Sequence, residues 1–396
     1  MNVFFITKVP FPNGMAPTKR ITCYAKGLSD NGINSEVLVI NRTESSENTL
    51  NKSTNGVLAK YAKYQYLGGS TYRPKGILQR KYQDLIDLSK VVVYCLRNAD
   101  KETIIYNYGD DIIIHILFTI VCLLTGAKQC RELCEYPYHT VEHVGAIRKT
   151  KSWITVHILF KLYDAIIPIS NTLQELAEKN KGRRTKICKI PILVDEDNCE
   201  QEYASISVPH PYIFHSGKLD EQKDGFIGML KAFCKARLQY PNLHFYSTGI
   251  LSNSSHKEEA EAIINQFSAK DNVHFLGFVS ESELNAYQKQ SSLFIINKLP
   301  SFQNKYCFPT KLGEYLLCGR PVITTDFGEA VNYLEDGKSA LIVHHGSTDE
   351  LSDAIIHLLN NPPLAEEIGR NGCLIARDRF GYKGQGKKLS EFFNSL

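Results

Sequence analysis

Three stretches of the sequence combine residue types able to hold an anion or handle a proton. The first, Ser216-Gly217-Lys218-Leu219-Asp220-Glu221-Gln222-Lys223-Asp224-Gly225, sets two lysines five residues apart beside a glycine. Glycine lets the backbone approach a ligand, and two cations next to a helix start suit a diphosphate. Taken alone, the same residues would also make a solvated surface loop. The second runs from Asn297 to Pro309 and on through Thr310-Lys311-Leu312-Gly313-Glu314-Tyr315-Leu316, with Leu312, Tyr315 and Leu316 on a buried helix face and Lys311 and Glu314 sharing another. Free backbone N–H groups at that helix start hold phosphate, and the Glu314 carboxylate can accept hydrogen bonds from two ribose hydroxyls. The plainer reading is an ion pair between Lys311 and Glu314. The third is Arg131-Glu132-Leu133-Cys134-Glu135-Tyr136-Pro137-Tyr138-His139, in which Glu135 and His139 are candidates for contact with a transferred group or an acceptor hydroxyl, or else a solvated carboxylate and a turn histidine. A weaker signal is Gly14 in the loop Pro10–Pro17, placed to pack against a ligand or simply to make a turn.

Such loops work only if regular elements hold them, and the apolar periodicity supplies these. Val3–Thr7 reads as a strand, followed by the loop Lys8–Pro17, a helix with Ile21, Tyr24, Ala25 and Leu28 on one face, a stop at Gly32, and a strand over Ser35–Ile40. Further strands are expected at Thr103–Tyr106, Lys128–Leu133, Ala165–Ile169 and Lys186–Ile190, whereas 43–75 is polar and gives no pattern. The period fades between Asn198 and Pro211, read as an interdomain linker, and then resumes. Strands follow at Tyr212–Ser216, Leu243–Ser247, Val273–Leu276, Leu293–Ile296, Val322–Thr325 and Ala340–Val343, with Phe226, Met229, Leu230 and Phe233 marking a helix after the first. Ser280 and Glu283 have capping-box spacing, and Gly319 with Pro321 closes the helix begun near Thr310. The expected class is α/β: two Rossmann-like, doubly wound domains over 1–200 and 201–378 facing across a cleft, and a C-terminal helix over 379–396 placed to pack back on the first domain. Ligands of such sheets sit beyond the carboxyl ends of the strands, where the candidate loops fall.

A length of 396 residues fits two hydrophobic cores better than one. With 46 basic and 42 acidic residues interspersed, the net charge of +4 offers no basic face for nucleic acid. The eleven cysteines include no pair at two-residue spacing, so they are expected as reduced thiols, and no metal site or cofactor is expected. The N-terminus enters an apolar strand without a signal-peptide pattern, which predicts a cytoplasmic protein. The most apolar run, Ile112–Leu124 between Asp110-Asp111 and Thr125-Gly126, would reach only about 20 Å as a helix, so a buried helix is expected there and not a membrane span.

Gly217-Lys218-Leu219 with Lys223 resembles the Gly-Arg-Leu-(three residues)-Lys-Gly signature of retaining GT-B glycosyltransferases, the sucrose synthase and mannosyltransferase group. Phe308–Leu316 with the exit Gly319–Val322 resembles that group's nucleotide-binding helix. Asp164–Ser170, Pro191–Asp195 and Asn272–Gly277 add matches in the family's order along nearly the whole chain. The resemblance implies the GT-B fold and retaining transfer, without a metal, from a UDP- or GDP-sugar to a glycan or lipid-linked acceptor in surface polysaccharide assembly. It implies donor contacts at Gly14, Gly217, Lys218, Lys223, Gly277, Tyr306, Phe308, Pro309, Thr310, Lys311 and Glu314, and a catalytic set of Lys218, Lys223, Glu314, Glu135 and His139. Peripheral contact with the inner face of the cell membrane fits the same setting. Two departures stand out: Tyr306 occupies the place of a family glutamate eight positions before Glu314, and Lys218 replaces arginine, keeping charge but losing the bidentate fork. A nucleotide-sugar epimerase of the same architecture and a noncatalytic partner subunit are the alternatives.

Overall fold

Strand β1 (Asn2–Thr7) is apolar and buried along nearly its whole length, as a central parallel strand covered on both faces must be. The computed structural model describes residues 1–45, 49–139, 141, 144–197 and 204–396. After β1 come α1 (Ala16–Asp30), β2 (Asn34–Val39), β3 (Asn55–Ala59), β4 (Ala62–Gln65), α2 (Ile77–Asn98), β5 (Thr103–Tyr108), α3 (Ile112–Thr125), β6 (Lys128–Leu133), α4 (Ala146–His157), β7 (Ala165–Pro168), α5 (Asn171–Asn180) and β8 (Lys186–Ile187). The sheet order is β3-β4-β2-β1-β5-β6-β7-β8, with only β3 antiparallel to its neighbour. The β3–β4 pair lies in the polar stretch that gave no pattern, because an exposed edge leaves only short, half-buried strands. Ile21, Tyr24, Ala25 and Leu28 are fully buried beneath α1, as their spacing predicts.

The run Ile112–Leu124 is helical, with the Asp111 side chain capping the Ile113 N–H and Gly126 closing it in the left-handed region. It is not a buried helix. Ile114, Phe118, Val121 and Cys122 pack on the sheet, whereas Ile113, Ile116, Ile120, Leu123 and Leu124 face outward. A helix lying on one sheet has one side to bury, whatever its composition. Among the described residues no helix is long and apolar enough to cross a membrane.

The second sheet is built from β9 (Tyr212–His215), α6 (Glu221–Asp224), α7 (Phe226–Arg237), β10 (His244–Ser247), α8 (Lys257–Gln266), β11 (Val273–Phe275), α9 (Glu281–Gln290), β12 (Leu293–Ile296), α10 (Phe302–Tyr306), α11 (Thr310–Leu317), β13 (Val322–Thr325), β14 (Leu341–Val343), α12 (Thr348–Asn360) and α13 (Pro362–Ile375). All its pairings are parallel, in the order β11-β10-β9-β12-β13-β14. Ser280 and Glu283 form the capping box of α9. The chain ends in α14 (Tyr382–Asn394), which packs on α1 and adds Leu389 and Phe393 to the core of the first sheet. Two units result, Met1–Leu193 with Gly381–Leu396, and Val194–Phe380. The linker expected at Asn198–Pro211 falls in part on 198–203, outside the described residues.

Candidate functional site

In the unit Val194–Phe380 the strand order reverses between β9 and β12, the place where an open parallel sheet leaves a crevice at its carboxyl edge. The loop Ser216–Gly225 begins there. Gly217 has φ +125°, a backbone conformation that L side chains rarely adopt, and a Cβ on it would lie 3.2 Å from Lys311 Nζ. Its N–H donates to Thr248 Oγ1 at 3.1 Å, and the Ser216 N–H donates to the buried Tyr315 hydroxyl at 2.8 Å. Asp220 caps the Lys223 N–H at 2.7 Å, opening the short α6. Lys218 and Lys223 are exposed, and neither forms an ion pair among the described residues.

Beneath this loop lies a charged cluster that sequence reading did not assemble. Asp224, 6% exposed, accepts from Lys298 Nζ at 3.0 Å and lies 3.1 Å from Lys311 Nζ. Burial alone would raise its pKa, but Lys311 and Lys298 outweigh that and hold the carboxyl well below the usual carboxylate range. Burial pulls the Lys311 ammonium down, against the opposing pull of Asp224. His215, at the end of β9, stands 3.3 Å from Lys311 Nζ and 3.0 Å from Ser247 Oγ. Burial and Lys311 push its pKa down to about 3, so the imidazole is neutral. The segment after β12 also grips the loop by backbone: Lys298 Nζ donates to the Lys223 carbonyl, Asn297 Nδ2 to the Gly225 carbonyl at 2.7 Å, and Asn304 Nδ2 to the Gln222 carbonyl at 2.9 Å. Lys298 stands two residues past β12 at the sheet's switch point, which was the one available sequence signal for it.

The other residues expected at a donor site lie on the same edge of this sheet or in its core. Thr310, exposed, and Lys311 start α11, whose N-cap is the buried Pro309; Glu314 is half-buried one turn on. Phe308 is buried in a ring cluster, 5.3 Å from Tyr333 and 5.6 Å from Phe380. Tyr306 ends α10 with its ring 5.1 Å from Phe302. Gly277 follows β11 with φ +69°, and a Cβ there would meet Ile250 at 3.8 Å. One grouping was not foreseen: Asp326 accepts from His344 Nδ1 at 2.9 Å and His345 Nδ1 at 2.6 Å, three potential metal-ligand groups on the exposed ends of β13 and β14.

In the first unit, a Cβ on Gly14 would fall 2.1 Å from Thr18 Oγ1, so this glycine is explained by close packing against the first turn of α1. Glu135 and His139 lie half-buried in the loop after β6, with the His139 ring 5.5 Å from Tyr136. Burial and Lys149 hold the His139 imidazole below its ordinary pKa. Behind them sits a buried pair, Arg20 and Glu132, at 3.0 Å, and Tyr106 also donates to Glu132. Arg20 further donates to the carbonyls of Ile190 and Pro191, tying α1 to the end of the first sheet.

Residues 202–373 match the family described as Glycosyl transferases group 1. The match lies within the unit Val194–Phe380. The D-rhamnosyltransferase WbpZ of Pseudomonas aeruginosa is 31% identical over 101 residues, 25% of this chain and 26% of its own length. The alpha-1,3/1,6-mannosyltransferase ALG2 of Dictyostelium discoideum is 25% identical over 154 residues, 38% of this chain and 34% of its own. The matches thus span about a third or less of these relatives. Among solved structures, Anabaena HepE in complex with UDP and glucose superposes with a TM-score of 0.71 at 18% identity, covering 100% of both chains. Sucrose-phosphate synthase from Thermosynechococcus elongatus gives 0.73 at 15% identity, covering 100% of this chain and 98% of that one. The fold is therefore GT-B, and the loop Ser216–Gly225 and helix α11 both lie within the matched residues 202–373.

Proposed function

We propose that this protein transfers a glycosyl group from a UDP- or GDP-sugar to a glycan or lipid-linked acceptor with retention of configuration. The observation that carries this reading is the pair Lys218 and Lys223, exposed and unengaged by any carboxylate among the described residues, on a loop clamped to the switch point of a unit that matches the group 1 family. Structures of HepE with UDP and with UDP-glucose support the choice of donor class. Two free cations neutralise a leaving diphosphate in the way a divalent ion otherwise would, so transfer is expected to be metal-independent. Glu314, one turn into α11, receives the ribose hydroxyls, and Glu135 and His139 serve the acceptor side. In front-face transfer the leaving diphosphate oxygen itself takes the acceptor proton, so no protein nucleophile is needed.

Thermal stabilisation by a panel of nucleoside diphosphate sugars tests the reading, since a ligand at about 100 times its Kd adds roughly 2.7 kcal/mol. One UDP- or GDP-sugar is expected to stabilise the protein and to be consumed in the presence of acceptor and excess EDTA. Stabilisation by none of the panel refutes donor binding. Loss of turnover in EDTA with recovery in manganese refutes metal independence. A noncatalytic reading is favoured by one observation, the phenol of Tyr306 in place of a carboxylate, and binding without turnover of any acceptor would establish it.

A further inference from the structure

Two consecutive histidines follow the last strand of the second sheet, and both turn to one carboxylate. β14 ends at Val343, so His344 and His345 leave the sheet together at its rim. Successive side chains on an extended chain point to opposite sides. These two share a side, their ring centroids 4.4 Å apart, because the chain turns here: the Ser347 N–H donates to the His344 carbonyl at 3.1 Å, and Gly346 takes φ +82°. Asp326, the residue after β13, faces both. Its Oδ2 lies 2.9 Å from His344 Nδ1 and its Oδ1 2.6 Å from His345 Nδ1, and the three groups offer ligand atoms within 4.8 Å of one another. The backbone beneath them is fixed. The Asp326 N–H donates to the Val343 carbonyl at 2.9 Å, the His345 N–H to Asp326 Oδ1 at 2.8 Å, and the His344 N–H to the Glu350 carboxylate in the first turn of α12 at 2.8 Å. The side chains stay open to solvent, His344 62% exposed, Asp326 40% and His345 32%. Hydrogen bonds this exposed contribute little to stability, so they do not by themselves account for the convergence.

The donor set selects the ion. Two imidazole nitrogens and one carboxylate oxygen suit zinc, whereas magnesium and calcium prefer a shell of oxygens. Zinc also imposes no geometry of its own, so it accepts three ligands placed by loops. We infer that Asp326, His344 and His345 form a zinc-binding site, with Nδ1 of each imidazole and the carboxylate as ligands and a further position left to water. Tetrahedral ligands at zinc bond lengths stand about 3.3 Å apart, so seating the ion moves these exposed side chains by roughly half an ångström. The ion ties the loop after the rim strand β14 to the loop after β13 and stabilises the folded unit by that link. Both imidazoles ligate as neutral rings with their remaining proton on Nε2, so zinc binding weakens as pH falls and protons compete for the same nitrogens. The site does not depend on the proposed transfer reaction: its ligands follow β13 and β14, whereas the lysines of the loop Ser216–Gly225 follow β9.

The test uses the full chain without an affinity tag, stripped of metal by a chelator and dialysed. Zinc chloride is then titrated in by calorimetry, where one equivalent is expected to bind, and the melting midpoint should climb with the logarithm of zinc concentration once that exceeds Kd. Cobalt(II), a coloured stand-in for colourless zinc, should give visible absorption that zinc removes and excess magnesium does not. His344→Gln and Asp326→Asn should each weaken zinc binding by no less than the roughly 10–100-fold that loss of an outer-shell partner costs. Because the His344 ring is exposed, the zinc-free melt of His344→Gln should match that of the unsubstituted protein. Absence of both zinc-dependent stabilisation and cobalt absorption overturns the inference. So does zinc binding of equal affinity in both variants, which assigns the ion to other groups such as the cysteines, or displacement of cobalt by magnesium, which marks an oxygen site.

Discussion

Replacing Asp224 by Asn removes one negative charge from between the buried Lys298 ammonium and the partly buried Lys311 ammonium and keeps the side chain's shape. At 3.0 Å from Lys298 Nζ and 3.1 Å from Lys311 Nζ, each contact amounts to about 5 kcal/mol of attraction at an effective dielectric constant near 20, most of it offsetting desolvation of the three charges. The measurable consequence is what remains when one member goes and its partners stay buried, roughly 3 to 5 kcal/mol. For a unit of this size that lowers the unfolding midpoint by about 6 to 20 °C, read by calorimetry or denaturant melts. The pH dependence gives the sharper check. Without Asp224 the folded-state pKa of Lys311, already lowered by burial, falls further below its unfolded value. The unfolded chain then binds more protons than the folded one over the alkaline range, so stability rises with pH there and the deficit of Asp224→Asn should shrink towards about pH 9. Adding Lys311→Met to Asp224→Asn should recover part of the loss, a coupling between neighbours that independent sites would not show. A loss below about 1 kcal/mol with no pH trend would mean the cluster is hydrated, and the reasoning from burial would fail.

Lys218→Ala and Lys223→Ala should each lower kcat/KM by roughly ten to more than a hundredfold and reduce kcat as well as raise KM, because charge grows on the leaving oxygen as the bond breaks; Lys218→Arg should keep partial activity, and normal turnover in both alanine variants would reduce the loop to a solvated surface. Glu314→Ala should weaken nucleotide binding by about 2 kcal/mol in titration calorimetry, and unchanged affinity would sink its ribose assignment. His215 and His115 are both buried with pKa values pushed down to about 3, by burial first and then by Lys311 and Arg131 respectively. Since the unfolded imidazoles take up protons near pH 6.5, stability should fall as pH drops from there, by up to about 1.4 kcal/mol per pH unit for each, and between about pH 6 and 5, above the range where the carboxylates titrate, His215→Asn/His115→Asn should lose that slope; an unchanged slope there in denaturant melts would refute the assignment.

The strands and most caps were legible because each is a local matter. Period-two and run-length patterns gave β1, β2, β6, β12 and β13 within a residue or two, and Ser280 with Glu283 gave the start of α9 by spacing alone. The β3–β4 pair was not legible, because a short exposed edge strand has little apolar pattern to show. At the site, the lysines of the loop and the helix bearing Lys311 and Glu314 were visible as residue types beside strand ends. Their arrangement was not.

By itself, then, the sequence determined the alternation of elements, the loop carrying Lys218 and Lys223, and the glycine between them and the strand. Tertiary structure decided which charges meet. Asp224 reads as one more polar loop residue until β12 brings Lys298 and α11 brings Lys311 within about 3 Å of it, and only that convergence makes the carboxylate a buried counter-ion. It likewise decided that α3, the most apolar helix in the chain, keeps half its surface uncovered. Helical periodicity fixes which side chains share a face, but what lies against that face depends on contacts distant in sequence, and those exist only once the sheet has assembled.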